Sequence, residues 1–348
     1  MRISMLLSYA SGFKEAVEEI KELEQAGLDL VWVPEAYSFD APSAMGYLAA
    51  NTQRVTIASG ILPIYSRTPS LLAMTAAGID YLSDGRCMLG LGASGPQVIE
   101  GFHGVPYIAP VSRMREIIAI CRSVWRRERV QFDGKYYQIP LPQNEGTGLG
   151  KPLKLINHPV RDDIPIAVAA LGENSVAMTA ELADAWLPAF YTAEAADAVW
   201  GDSLRRGAAL RDPERAPLEI FAGGGVAIGE GLEDMRNAGR AGAALYIGGM
   251  GARQKNFYND IFSKSGYPDE AKLIQDLYLS GDKKAAEAAI PGSYLETNSL
   301  IGPEGFVRDR LSALRESGVT ALNIGFMAQT RSERVQICEK LRNIVDTP

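Results

Sequence analysis

The sequence predicts a (β/α)8 barrel, a TIM barrel with insertions. Three observations lead there. A unit of amphipathic helix, glycine and short apolar strand recurs; the strands are apolar on both faces; and eight such strands spread over all 348 residues. Strands of this kind, alternating with helices, form a parallel sheet covered by helices. Eight of them along one chain favour closure into a barrel over an open doubly wound sheet.

The elements follow in order. Residues 2–8 form the first strand. Phe13, Ala16, Val17, Ile20 and Leu23 share one helical face, Gly27 stops that helix, and 28–34 is the second strand. The third strand, 54–62, carries Gly60 inside an apolar run and is followed by Tyr65, Ser66 and Arg67, read as exposed. A helix opens at Thr68-Pro69, Gly85 ends it, and 86–92 is the fourth strand. "ERVQFDGKYYQIPLP" predicts a β-hairpin near 130–140, turning at Asp133-Gly134. Strands at 164–170, 185–191 and 218–226 come next. Residues 230–318 read as a polar, helical insertion before the eighth strand, 319–326, with Gly318 just ahead of that strand. The chain reads as one domain with this insertion inside it.

Composition narrows the function classes. The net charge of -7 opposes a general nucleic-acid binder, whose footprint is basic. No apolar run reaches the roughly 18 to 20 residues that a membrane-spanning helix needs. The opening segment passes directly into an acidic helix, unlike a signal peptide. Cys87, Cys121 and Cys338 are odd in number and widely spaced, which suggests neither a disulfide framework nor zinc. A cytoplasmic protein without a metal is the expectation. The basic helix end "RSVWRRERV" reads as a solvated surface.

In such a barrel, chemistry belongs at the C-terminal ends of the strands. Glu35 follows Pro34 at the second strand end, where a carboxylate can exchange protons, bind a polar ring or cap a helix. Ala93, Ser94 and Gly95 end the fourth strand in "LGLGASGPQV"; small residues there let main-chain amides approach a ligand or simply make a tight turn. The Gly-x-Gly spacing is a weak dinucleotide signal, because Pro96 interrupts the fingerprint. Leu171-Gly172 ends the fifth strand and opens a helix at Glu173, which suits a phosphate or plain capping. His103 and His158 have no spaced partners for a metal.

Several stretches together resemble the luciferase-like monooxygenase superfamily, in its coenzyme F420-dependent branch that includes methylenetetrahydromethanopterin reductase. They are "VWVPEAYSFDA", "ANTQRVTIASGI", "RTPSLLAMTAAGIDYLSDGRCMLGLGASGPQVIEGFHGVPY", "AALGENSVAMTAELADAWLP", "ALYIGGMGARQKNFY" and "SLIGPEGFVRDRL". The resemblance implies a non-prolyl cis peptide at Gly60-Ile61, with Ile61 beneath a deazaflavin. It implies cofactor contacts at Glu35, Ser59, Gly60, Ile61, Ala93, Ser94, Gly95, Val98, Leu171 and Gly172, with F420 as cofactor and flavin mononucleotide as the alternative. It also implies hydride transfer to or from a carbon centre of a small molecule, and a homodimer. Glu35 is the first candidate for the accompanying proton, with Tyr37, Ser94 and Tyr65 behind it. Ala36 replaces the histidine of the sugar-phosphate oxidising relatives, and Ser8 and Ser94 replace acids of the methanopterin reductases, so neither substrate is expected. A flavin-dependent monooxygenase and a non-catalytic cofactor carrier remain as other readings.

Overall fold

The computed structural model describes residues 1–8, 12–250 and 256–347. Its elements run β1 (Arg2–Leu6), α1 (Phe13–Gln25), β2 (Leu30–Val33), α2 (Ala41–Asn51), β3 (Thr56–Ser59), β4 (Leu62–Pro63), α3 (Pro69–Leu82) and β5 (Cys87–Gly92). Then come α4 (Pro96–Gly101), α5 (Pro110–Trp125), β6 (Phe132–Asp133), β7 (Gln138–Ile139), β8 (Ile166–Ala169), α6 (Glu173–Leu182), β9 (Ala185–Leu187), α7 (Asp202–Ala208) and β10 (Glu219–Ile228). The last part holds α8 (Glu233–Asn237), α9 (Arg240–Ala244), α10 (Phe257–Lys264), α11 (Pro268–Leu279), α12 (Lys283–Ala288), α13 (Gly292–Thr297), β11 (Ser299–Gly302), α14 (Glu304–Glu316), β12 (Ala321–Phe326) and α15 (Arg331–Asp346).

Among the described residues, eight parallel strands close a barrel in the order β1-β2-β3-β5-β8-β9-β10-β12. β12 returns to β1 through Arg2↔Ala321, and β9 meets β10 through Glu219↔Ala185. Every residue of β2 and β5 is buried, as strands lined by side chains within and helices without must be. The interior is filled by side chains, with Trp32 and Phe221 edge to face at 5.2 Å. The Trp32 indole donates to Ser4 Oγ at 3.0 Å, and that hydroxyl donates to the Leu322 carbonyl at 2.6 Å. The polar atoms in this layer are thereby satisfied without water.

Four expectations need correction. The third strand does not run through 54–62: it stops at Ser59 and resumes as β4, beside the same neighbour, β5. The strand expected at 185–191 ends at Leu187; the chain turns at Phe190 (φ 59°), and Tyr191 stacks on Trp200 at 5.7 Å. Residues 230–318 are neither wholly helical nor polar. Helices α8–α13 enclose their own apolar core of Ala244, Ile247, Phe262, Ile274 and Tyr294; β11 then adds to β10 through Gly225↔Ser299, and α14 is the ordinary crossover into β12. The basic end of α5 is not a solvated face throughout. Arg122 and Arg215 lie between Asp163 and Asp184 in a ring of alternating charge, with Arg215–Asp184 at 2.5 Å.

The hairpin forms at the expected place, pairing Phe132↔Ile139 around Asp133-Gly134. It is held to α5 because Glu116 accepts from the amides of Lys135, Tyr136 and Tyr137 at 2.9, 3.0 and 2.9 Å. All three cysteines are free and buried. No described helix is long and apolar enough to cross a membrane.

Candidate active site

The break in the third strand shapes the mouth of the barrel. Ala58 pairs with Met88 and Leu62 with Leu91, so the third strand advances four residues while β5 advances three. The extra residue is a bulge. It leaves the N–H and C=O of Gly90 facing a strand that has moved away. The Ser59 hydroxyl supplies both missing partners: it donates to the Gly90 carbonyl and accepts from the Gly90 amide, each at 2.8 Å. A Cβ on Gly90 would fall 1.7 Å from the Ser59 carbonyl oxygen, so only glycine allows this approach.

Beyond the patch, the Gly60-Ile61 peptide is cis. A Cβ on Gly60 would lie 2.8 Å from Trp32 Cβ and 3.2 Å from Leu6 Cδ1. The Ile61 side chain lies over Gly92, where an added Cβ would meet its Cγ1 at 2.7 Å. Leu6, Gly60, Ile61 and Ala93 therefore make a small, apolar shelf at the ends of the first, third and fourth barrel strands. Ser94 turns the chain away in the left-handed region (φ 57°), and its carbonyl accepts from the Tyr107 hydroxyl at 3.3 Å. Gly95 begins α4, on which Val98 is half-buried. Leu171 and Gly172 sit at the end of β8, whose Ala169 pairs with Gly92. Gly172 opens α6 with no side-chain cap.

The sequence-predicted residues thus gather at the C-terminal rim, yet two of them do different work from that expected. Ser59 is fully buried and its hydroxyl is committed to Gly90, so its side chain offers a ligand nothing. Glu35 is also fully engaged. Arg67 Nη1 donates to Oε1 at 2.5 Å and Nη2 to Oε2 at 2.8 Å, while Oε2 also accepts from the Ala41 amide at 2.8 Å. A carboxylate that accepts from three N–H groups positions the chain; it is poorly placed to give up a proton. Glu35 ties the second strand end to the start of α2 and, through Arg67, to the segment after β4.

Arg67 was read as exposed, but its side chain is only 14% exposed and Tyr65 is 8% exposed. The Tyr65 hydroxyl donates to the Ile108 carbonyl at 2.9 Å, and burial, with Tyr107 beside it, pushes its pKa up to about 12. Arg113 lies over the rings of Tyr65, Tyr136 and Tyr137 at 5.7, 5.0 and 5.3 Å, tying the hairpin to this corner. The insertion reaches the rim as well. Phe257 comes within 3.5 Å of a Cβ built on Gly172, and Lys264 pairs with Glu173 at 3.0 Å. That hydrogen bond holds the Glu173 carboxyl below its ordinary range. Strand and helix periodicity carries no signal for these contacts. The one hint is that Arg67 is the sole cation in the loops after the first four barrel strands, which also hold Glu35.

Two outcomes are expected from denaturant unfolding. Ser59→Ala leaves two buried main-chain groups unpaired and should cost about 3 kcal/mol, and Gly90→Ala should cost at least as much through the clash; wild-type midpoints for both would refute the patch. Removing either partner of the buried pair, by Glu35→Gln or Arg67→Met, should cost about 3–5 kcal/mol. The double variant should cost clearly less than the sum; strict additivity would mean that the pair is not coupled.

Comparison with known proteins places this architecture. The luciferase-like monooxygenase family model matches residues 1–321. The chain is 38% identical over 331 residues to a Mycobacterium tuberculosis protein named "Putative coenzyme F420-dependent oxidoreductase", covering 92% of this chain and 94% of that one. It is 24% identical over 314 residues to the 5,10-methylenetetrahydromethanopterin reductase of Archaeoglobus fulgidus, covering 88% and 87%. The fold matches the coenzyme F420-dependent tetrahydromethanopterin reductase of Methanopyrus kandleri with a TM-score of 0.79 over 99% of both chains, at 18% identity. The chain belongs to the luciferase-like monooxygenase family.

Proposed function

We propose that this protein is a coenzyme F420-dependent oxidoreductase that moves a hydride between the deazaflavin and a carbon centre of a small organic substrate. The shelf at the third-strand break carries the reading. Leu6, Gly60, Ile61 and Ala93 are apolar and small, with Leu6 44% exposed, which suits one face of a flat tricyclic ring. The resemblance to the Mycobacterium tuberculosis protein supports F420 as that ring. Bound there, a deazaflavin supplies two-electron hydride chemistry.

The chain's own residues supply orientation. The shelf backs one ring face and leaves the other toward the loops that carry Tyr37 and Phe102. Ala93, Ser94, Gly95 and Val98 border the ring. The uncapped first turn of α6, after Leu171-Gly172, suits the cofactor's phosphate. Glu173 stands at that helix start, but Lys264 offsets its charge. Glu35 and Arg67 hold the loop between β2 and α2. With Glu35 and Tyr65 both engaged, the proton that accompanies the hydride falls to Tyr37, Ser94 or His103; the buried Nε2 of His103 has no hydrogen-bond partner among the described residues.

We also place this chain as a homodimer in the cytoplasm. Tyr47 on α2 and Leu71, Met74, Tyr81 and Leu82 on α3 form an exposed apolar face on one flank of the barrel. Such a patch marks an interface. Free, buried cysteines suit a reducing compartment.

Titrating the purified protein with F420 and, separately, with flavin mononucleotide should give saturable binding with F420 the tighter ligand, read by absorbance and by a rise in melting temperature. Preference for flavin mononucleotide would favour a monooxygenase, and binding of neither would end the reading. Light scattering should give a dimer mass for the native chain and a monomer mass for the Leu71→Asp, Met74→Asp double variant; a native monomer would remove the dimer.

A further inference from the structure

Around the shelf, large apolar side chains stand in water. Tyr37 is 70% exposed, Phe39 94%, Phe102 64% and Ile108 53%. They come from the loops after β2 and β5, and the Tyr37 and Phe102 rings meet at 6.2 Å, so the two loops touch above the third-strand break. The loop holding Tyr37 and Phe39 is anchored at both ends. Glu35 precedes it and binds the Ala41 amide beyond it, and Asp40 caps α2 by accepting from the Ser43 amide at 3.0 Å. The rings are therefore displayed by a fixed frame. Apolar surface held this way at a cleft is a recognition surface. It is separate from the flank formed by Tyr47 and α3.

Charge points the same way. The loops after the first four barrel strands contain a single cation, Arg67, and its guanidinium is spent on Glu35. Their other carboxylates are also engaged: Asp40 at the α2 cap, and Glu100 accepting from the Tyr107 amide at 3.1 Å. A phosphate or carboxylate would lose its hydration at this part of the mouth and find no free positive partner.

We infer that the substrate is a neutral molecule with an apolar body of several carbons, clasped between Phe39, Phe102 and Ile108, rather than an anionic metabolite. This rests on the function proposed above, since it assigns the open side of the same shelf. The frame that holds the rings sets the specificity, and added methylenes on the substrate bury against them.

The test is calorimetric binding of a ketone series from butan-2-one to decan-2-one, with decanoate and glucose 6-phosphate as anionic controls. It is run on the protein with and without F420. Affinity should rise about fourfold per methylene, with the anions weaker than any ketone of comparable size. Phe39→Ser with Phe102→Ser should flatten the length dependence while F420 affinity and melting temperature stay near wild type, and Phe102→Leu should restore most of the slope. A flat series in the native protein, tighter binding of the anions, an unchanged slope in the double variant, or dissociation of the dimer by it would overturn the inference. Bound F420 with a flat ketone series removes the substrate class alone. A length-dependent series without F420 binding removes the cofactor alone.

Discussion

The two-way hydrogen bond between the Ser59 hydroxyl and the main chain of Gly90 is what makes the mouth of this barrel possible. A parallel barrel strand has every main-chain group paired, and leaving two of them without partners inside a dry core is costly. Here one hydroxyl replaces the strand that has moved away, and the chain is then free to take an extra residue. Gly90 is glycine because the Ser59 carbonyl occupies the space of a Cβ. Gly60, Ile61 and the resumed strand β4 all follow from that repair.

The same break links distant parts of the chain. β4 brings Arg67 back to Glu35, which fixes the loop between β2 and α2. Tyr65, just before it, bonds the carbonyl of Ile108, and Arg113 stacks on Tyr65 and on two tyrosines of the hairpin. Glu116, one helical turn further along α5, grips the hairpin's amides. The rim is thus held by local polar contacts between loops, while the barrel beneath is held by apolar layers and helix packing. Such a division suits an enzyme family in which one scaffold carries many substrates, because loops can change without disturbing the layers that close the barrel.

The insertion shows a second way to build the rim. Helices α8–α13 bury their own apolar cluster, then approach the fifth barrel strand end, where Lys264 meets Glu173 and Phe257 covers Gly172. A polar average over the segment hid that cluster, because short helices divide their apolar residues among several faces.

The barrel and the sites on its strand ends were legible in the sequence because both rest on local rules. Apolar runs of strand length, glycine stops and the position of each strand's C-terminal end need no knowledge of partners. That reading located Gly60, Ile61, Ala93 to Gly95 and Leu171-Gly172 at one rim. Tertiary structure alone decided what the polar residues do. Glu35 looked available because its partner, Arg67, lies 32 residues away. Ser59 looked like a ligand contact because its partner, Gly90, lies 31 residues away. An ion pair or a side-chain-to-backbone bond between remote segments leaves no periodic trace, since its energy depends on distance in space and not on spacing along the chain.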